Sequence, residues 1–350
     1  IDTYKCKMAL INEFKLPKYL INSSIASITA YAIGGTPCHK NEFDFIKLDI
    51  LNKYSHVKKF FDNNKNYSQK YKTMIAGVEH TYGYGGCHGA RKSYSSSKPV
   101  LVIDIKAFYP TMLNKLGYFN IKKISRAKYI HEQNLKLRGK PERLPYKLAD
   151  NSIVGNFKNK FSDLYNPRAS NTICVNGQLL ITLLIEMLEP YIKLVQTNTD
   201  GIIIEYDDFD TIDRICEKFE DLTGYNLTFT CYDKIYQKDV NNYLLVGDEI
   251  RAVGELRGCS EGKYTESIIK RSMRAYLTSG EKIAKTINNC KDEREFQILA
   301  KPDYRVFANI YGRPIKGVFS FDVSNQFKYY DENWYISEAI RRVKKYGVTL

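Results

Sequence analysis

Several features that mark secreted and membrane proteins are missing from the sequence. The 350 residues contain no run of about 18 uncharged apolar residues, which argues against an ordinary membrane-spanning helix. No basic segment followed by an apolar one opens the chain, so secretion has no support. None of the eight cysteines forms a CxxC pair. The cysteines are therefore expected to be reduced thiols.

Two Cys-His pairs leave one metal-site alternative open. Cys38 with His39, and Cys87 with His88, could supply four zinc ligands if the fold brought the pairs together. Scattered thiols are the simpler interpretation, because the two pairs lie far apart in the sequence.

Acidic residues are scarce relative to basic ones. Lys and Arg number 53 against 39 Asp and Glu, which gives a net charge of +14. The 28 tyrosines and 17 phenylalanines often neighbour Lys or Arg, a mixture that can follow phosphates and stack bases. Composition therefore favours nucleic acid as a partner, although basic proteins from AT-rich genomes look similar. The 43% hydrophobic content is enough for a buried core.

Short apolar runs in the middle of the chain predict strands. Residues 100–103 read VLVI, which is typical of a buried strand. Residues 192–195 and 202–204 flank a turn at 197–201 and predict a hairpin.

The remaining pattern predicts helices on both sides of these strands, and one loop. The predictions are mostly helix over 1–75, a glycine-rich loop over 80–90, a short helix from Pro110 to Gly117, a helix within 121–146 that stops near Gly139 and Pro141, a second one from near Pro145, a core helix over about 171–188 and helical then mixed structure from about 258.

Two acidic residues sit where strands end or turn. Asp104 ends the first predicted strand and Asp200 lies in the tight turn of the hairpin. If they face each other, the two carboxylates can bind a pair of Mg²⁺ ions through oxygen ligands. Taken singly, each has a structural interpretation, since Asp-Gly is a common hairpin turn and a strand-end Asp is often a cap.

Residues 147–155 read KLADNSIVG. On a helix, Lys147, Asn151, Val154 and Gly155 share one face. A lysine there can meet a triphosphate, and the glycine lets a flat base approach the backbone. A solvated lysine is the structural alternative.

The order of these segments resembles the family B DNA polymerases, specifically their bacteriophage branch. Residues 104–111, DIKAFYPT, look like the first motif of the family, DxxSLYPS. Residues 147–155 look like the second, KxxxNSxYG, and residues 198–201, NTDG, look like the third, DTDS. The resemblance runs from about residue 75 to near the end.

The resemblance implies a role for each matching position. Asp104 and Asp200 would be the catalytic, metal-binding carboxylates, with the carbonyl of Ile105 as a further ligand to two Mg²⁺ ions, or Mn²⁺. Among the nucleotide-binding residues, Ala107 and Phe108 would hold triphosphate oxygens through their backbone amides, and Tyr109 would lie under the sugar. Lys147 would contact the triphosphate, and Asn151 would lie beside the new base pair. One or more of Arg138, Lys140 and Arg143 would be the phosphate-binding cations of the fingers. The DNA-binding residues would be Tyr84, Gly85 and Gly86 in a YxGG-type loop, Gly155, Thr199, Lys238 and Tyr243.

Differences from the family pattern leave alternatives open. In the third motif, Asn198 replaces the first Asp and Gly201 replaces the Ser. In the second motif, Val154 replaces the Tyr. Asn241 replaces the Lys of a KxY primer motif, a loss for which Lys238 could compensate. Asn198, Val154 and the expected absence of a nuclease domain favour a rival, a non-catalytic nucleic-acid-binding remnant. A reverse transcriptase is a weaker rival, because it would need adjacent carboxylates in the hairpin.

The resemblance implies an α+β right-hand fold: a palm of antiparallel sheet with helices, helical fingers and a thumb. The expected bounds are a helical segment over 1–78, palm over 79–120 and 161–254, fingers over 121–160 and thumb over 255–350, whose Lys263, Lys270, Arg271 and Arg274 would grip the duplex. No Asp-x-Glu pair occurs, so the exonuclease domain is expected to be absent, which leaves open a separately supplied one as a partner. The other expected partners are primer-template DNA and dNTPs, with no membrane, in the cytoplasm of an infected bacterial host.

Overall fold

The computed structural model describes residues 2–40, 44, 49–63, 68–257, 266–296, 298–300, 305–307 and 332–349. Its α-helices are α1 (Asp2–Glu13), α2 (Ile25–Ile33), α3 (Ser55–Asn63), α4 (Phe108–Leu116), α5 (Ile124–Lys136), α6 (Arg143–Asn156), α7 (Pro167–Leu188), α8 (Phe209–Thr223), α9 (Ser267–Ser279), α10 (Ile283–Asn288) and α11 (Glu332–Val343). Its strands are β1 (Tyr71–Ile75), β2 (Val78–Gly83), β3 (Gly86–Ala90), β4 (Tyr94–Ser95), β5 (Val100–Ile105), β6 (Ile192–Thr197), β7 (Gly201–Tyr206), β8 (Leu227–Tyr232), β9 (Lys234–Asp239), β10 (Asn242–Val246), β11 (Arg251–Val253), β12 (Ile298–Ala300) and β13 (Arg305–Phe307). The α+β class expected from the sequence is confirmed.

A seven-stranded antiparallel sheet forms the centre, in the order β1-β2-β3-β6-β7-β5-β8. Strand β5 is buried on both faces, as the VLVI run predicts. Leu101 and Ile103 join the largest hydrophobic cluster, whereas Val100 and Val102 point to a second cluster against the smaller sheet β11-β10-β9-β4. The alternation follows from the two-residue period of a strand.

Helix α7 covers the first face and is buried nearly all round, as the sequence predicts. Pro167 occupies its first turn and the Asn166 side chain accepts a hydrogen bond from the Ala169 amide, which fixes where the helix begins. The segment Pro167–Tyr191 has the length and hydropathy of a membrane span, but 89% of its apolar 18-residue window is buried inside the protein. It is therefore the core helix of this fold.

Helices α5 and α6 form a helical hairpin within the range predicted for the fingers. Gly139 turns the chain between them with a positive φ of 84°. Pro145 falls in the first turn of α6, where the missing amide costs no helical hydrogen bond. This position explains how the helix tolerates a proline two residues before Lys147.

The prediction of a glycine-rich loop over 80–90 is wrong, because these residues form most of strands β2 and β3. Two of the glycines are needed for close packing. A Cβ on Gly89 would lie 2.8 Å from the His80 ring, and a Cβ on Gly86 would lie 3.1 Å from Thr199 Oγ1. Strand β1 likewise lies in the range predicted as mostly helical, and it pairs with β2 across the expected boundary at 78.

The last third contains helices α9, α10 and α11 around a separate hydrophobic cluster, which includes Ile269, Met273 and Tyr335. Of the cations predicted for the thumb, Lys263 lies outside the described residues. Arg271 is paired with Glu295 at 2.8 Å.

The zinc alternative is wrong within the described ranges. No group of three or more His, Cys, Asp or Glu side chains in them is arranged to hold a metal ion. Cys38, Cys87 and the other described cysteines are free thiols, as the simpler interpretation expects.

Candidate active site

The structure brings Asp104 and Asp200 together at one end of the central sheet. Asp104 lies near the end of β5 and pairs in register with Gly201, the first residue of β7. The backbone amide of Ile105 donates a hydrogen bond of 2.8 Å to the carbonyl oxygen of Asp200. The strand end and the hairpin turn are thus locked side by side, as the sequence predicts.

The approach of the two segments is so close that only glycine fits at position 201. A Cβ there would clash with Asp104 Oδ1 and would lie 2.5 Å from the carbonyl oxygen of Ile103. The departure from the serine of the family motif therefore has a local steric reason.

Electrostatics at this pair favour a bound cation. Burial, and secondly the charge of Asp200, raise the pKa of the Asp104 carboxyl to about 6, while Arg251 and Arg138 act in the opposite direction. A carboxyl held near a second carboxylate in a partly buried site is destabilised in its charged form. A divalent cation between the two would relieve this cost.

The donor set fits Mg²⁺, which takes oxygen ligands and commonly uses only one or two carboxylates together with substrate phosphates and water. Asp104 and Asp200 supply the carboxylates. Ile105, predicted to add its carbonyl, lines the same cavity as Asp200.

Beside the pair, the chain makes an unusual turn at Ala107. This residue has φ 47° and ψ 45°, a left-handed conformation that non-glycine residues rarely adopt, and it is the N-cap of α4. The first amides of a helix, here those of Phe108 and Tyr109, have no intrahelical acceptor and are available as donors. The resemblance assigned this role to the amides of Ala107 and Phe108, and of these two only Phe108 lies inside the helix.

Tyr109 is packed between α4 and the core helix. Its hydroxyl lies 4.0 Å from Cys174 Sγ, and its ring stacks on Phe108 with centroids 5.4 Å apart. A Cβ on Gly177 of α7 would lie only 3.1 Å from the Tyr109 ring. Gly177 thus provides the space that holds this ring at the edge of the cavity.

Most of the predicted site residues line one cavity of about 480 Å³. The predicted residues in its wall are Ile105, Ala107, Phe108, Tyr109, Arg143, Lys147, Asn151, Gly155, Thr199 and Asp200. Asp104, Arg138 and Lys140 are not part of this wall. The volume is typical of a small-molecule site.

Of the three candidate cations, Arg143 is the one that lines the cavity, and a buried hydrogen-bond network holds it there. Asp150 accepts hydrogen bonds from His131 Nδ1 at 2.9 Å and from Asn134 Nδ2 at 2.8 Å. Asn134 in turn accepts from Arg143 Nε at 2.9 Å, through both its backbone and side-chain oxygens. The network fixes Arg143 at the cavity wall.

Sequence reasoning missed Asn134 and Lys158, which also line the cavity. Lys158 Nζ donates to the carbonyl oxygen of Tyr84 at 3.1 Å, so it ties the end of the fingers range to the β2-β3 turn. No motif marked either residue, because each has a partner more than 15 residues away, Asp150 for Asn134 and Tyr84 for Lys158.

Tyr84, Gly85 and Gly86 line a second, larger cleft of about 1000 Å³, whose wall includes neither Asp104 nor Asp200. The Tyr84 ring is only 8% exposed and packs edge-on against Phe61. Any contact of this turn with DNA would therefore use the backbone and the open side of Gly85, which has no atom within 4 Å of a built Cβ.

The structure does not bring Lys238 and Tyr243 into the cavity wall. Lys238 Nζ is paired with Glu255 at 3.2 Å. The Tyr243 ring is 3% exposed and belongs to the hydrophobic cluster between the two sheets. A primer contact by either side chain stays a prediction from the sequence, and the geometry gives it no support.

Comparisons with known proteins show the fold. The chain is similar to the family B DNA polymerase from the hyperthermophilic archaeon Pyrobaculum calidifontis, with a TM-score of 0.54 and 11% sequence identity over 99% of this chain and 54% of that chain. The chain thus spans about half the length of that polymerase. No protein-family model matches the sequence, and no curated protein matches it. The mixed helix-and-sheet architecture is therefore similar to that of a family B DNA polymerase.

Proposed function

We propose that the chain carries out template-directed DNA synthesis, transferring a nucleotidyl group from a dNTP to a primer 3′-hydroxyl and releasing pyrophosphate. The observation that carries the proposal is the pairing of Asp104 with Asp200, because Asp200 lines a basic cavity of nucleotide size. Two paired carboxylates next to fixed cations are what phosphoryl transfer needs, since its catalysis is mostly positioning and charge neutralisation.

The residues predicted to bind the nucleotide have these places in the proposal. Lys147 and Arg143 bind the triphosphate, and the backbone amides of Ala107 and Phe108 donate to its oxygens. The Tyr109 ring packs beneath the sugar and leaves no room for a 2′-hydroxyl. Asn151 and Gly155 lie beside the new base pair.

Asp104 and Asp200 would hold two Mg²⁺ ions, or Mn²⁺, with the Ile105 carbonyl. When bound, such ions stabilise the attacking and leaving oxygens. The expected phage context, a separately supplied exonuclease domain and the cytoplasm of an infected bacterium belong to the same proposal and rest on the sequence resemblance.

A non-catalytic remnant that binds nucleic acid is the second candidate. Asn198 in the third motif and the burial of Tyr243 favour it. Primer extension with Mg²⁺ separates the two candidates. Incorporation that disappears in Asp104→Ala and in Asp200→Ala supports the enzyme, whereas duplex binding without any incorporation supports the remnant.

A further test compares Arg143 with Arg138 as the side chain that binds the triphosphate. We expect Arg143→Ala to raise the KM for dNTPs at least tenfold, because a hydrogen bond to a charged group is worth about 1.5–3 kcal/mol. Arg138→Ala is the matched control and should change the KM less, since Arg138 is exposed and outside the cavity wall. Steady-state kinetics at saturating primer-template measure both, and equal effects would contradict the assignment.

A further inference from the structure

A second basic cavity, of about 700 Å³, lies between α1 and the turn that joins α5 to α6. Its wall includes Lys5 from α1, Lys140 from the turn, and Arg143 and Lys147 from α6. Glu142 is the one acidic residue among the described residues that line it, so the charged side chains of the wall sum to +3.

The three lysines of this wall have no ion-pair partner in the described part of the chain. Lys5, Lys140 and Lys147 form none of the ion pairs found there. The recorded hydrogen bonds of Arg143 use only Nε, so neither terminal nitrogen of its guanidinium has a recorded partner. Unpaired cations around a concave surface raise the local concentration of anions.

The cavity is continuous in its residues with the candidate nucleotide site. Arg143 and Lys147, one helical turn apart on α6, line both cavities. They form the partition between the two, and Asn134 holds Arg143 in that position. On the nucleotide side, an anion contacts Arg143 and Lys147. On the side of the second cavity, it also meets Lys5 and Lys140.

We propose that this second cavity is a polyphosphate site, through which a pyrophosphate or triphosphate group passes between solvent and the nucleotide cavity. The inference rests on the proposed function and assigns a substrate-handling role to α1, which precedes the expected polymerase core. The volume suits a small polyanion, because ligand cavities commonly measure about 300–1000 Å³. Lys5 and Lys140 are the residues specific to this site.

The test uses a charge reversal, Lys5→Glu, with Lys18→Glu as the matched control. Both lysines are exposed and lie in the N-terminal segment, but Lys18 lines neither cavity. Binding of pyrophosphate alone to the protein is measured by calorimetry, and inhibition of primer extension by pyrophosphate is measured beside the KM for dNTPs. Thermal unfolding of each variant confirms that it is folded, and Lys5→Gln should give a smaller change of the same sign.

We expect Lys5→Glu to weaken pyrophosphate binding about fivefold, the size expected for a partly exposed charge contact, and Lys18→Glu to leave it unchanged. If Lys5→Glu raises the inhibition constant of pyrophosphate but not the KM for dNTPs, the product occupies the second cavity. If it raises the KM for dNTPs but not the inhibition constant, the substrate does. Both together indicate a shared path.

Equal pyrophosphate binding in Lys5→Glu and Lys18→Glu would overturn the inference. So would a loss of DNA affinity without a change in pyrophosphate binding, because the surface would then belong to the duplex. If the unmodified protein incorporates no nucleotide, the proposed function fails, but calorimetry with pyrophosphate still reports on the cavity.

Discussion

Asp104→Asn is expected to slow nucleotide incorporation by a factor on the order of 10³ and, at the same time, to stabilise the protein in the absence of metal. Burial and the charge of Asp200 raise the pKa of Asp104 to about 6, so the folded protein holds an ionised Asp104 at a cost at neutral pH. The amide removes that charge. We expect about 1–2 kcal/mol of added stability at pH 7.5, less than the full value of a shift of about two pKa units.

The pH dependence has a definite sign. A carboxyl whose pKa is raised by folding binds its proton more tightly in the folded state, so its cost is absent below about pH 4 and complete above about pH 6. The stability difference between Asp104→Asn and the unmodified protein should therefore grow across that window and stay constant above it. Urea unfolding at several pH values, without divalent ions, measures it.

The matched control is Asp221→Asn, which changes an exposed carboxylate in α8. It should alter neither incorporation nor the pH dependence of stability. For Asp104→Asn, loss of a metal ligand should cost about 4 kcal/mol of transition-state stabilisation, or on the order of 10³ in rate. A destabilised Asp104→Asn protein would mean that the carboxylate is held by structural contacts and that the pair is not poised for a cation.

Gly201→Ser is expected to reduce incorporation about 100-fold, although serine is the residue of the family motif. The added Cβ would clash with Asp104 Oδ1 and press on the carbonyl oxygen of Ile103. Either the carboxylate or the β5 and β7 strands must then move. A misplacement of about 1 Å at a reacting group can cost about 10² in rate.

Ile202→Val, one residue further along β7, separates displacement of the carboxylate from general weakening of the strand. Ile202 is buried and packs in the main cluster, so its shortening should cost about 1 kcal/mol of stability. We expect this variant to keep most of its activity at a temperature where it is folded. If Gly201→Ser also remains active, or if Ile202→Val loses as much activity, the steric assignment of Gly201 is wrong.

Local signals in the sequence were enough to predict the elements that carry the carboxylates. The β-branched run of β5, the Asp-Gly turn after β6 and the proline in the first turn of α6 each act within a few residues. Their conformations are set by backbone preferences and burial, so they can be inferred without knowing the partners.

The parts that sequence reasoning missed depend on contacts between distant segments. The glycines of β2 and β3 were interpreted as a flexible loop, yet Gly86 and Gly89 are required by the approach of Thr199 and His80. The selection of Arg143 over Arg138 depends on Asn134 and Asp150, whose network forms only when α5 packs on α6. Contacts of this kind produce no regular residue spacing, so they cannot be recognised in a single sequence.

The burial of β5 between two hydrophobic clusters has a consequence for how the proposed enzyme would work. Because hydrophobic side chains pack on both faces of β5, the strand cannot move Asp104 toward a substrate. Any closing movement must then come from the opposite wall, the α5-α6 hairpin with its cations. The carboxylates of Asp104 and Asp200 would then stay in place. Selection of the correct nucleotide would depend on how closely the α5-α6 hairpin approaches them.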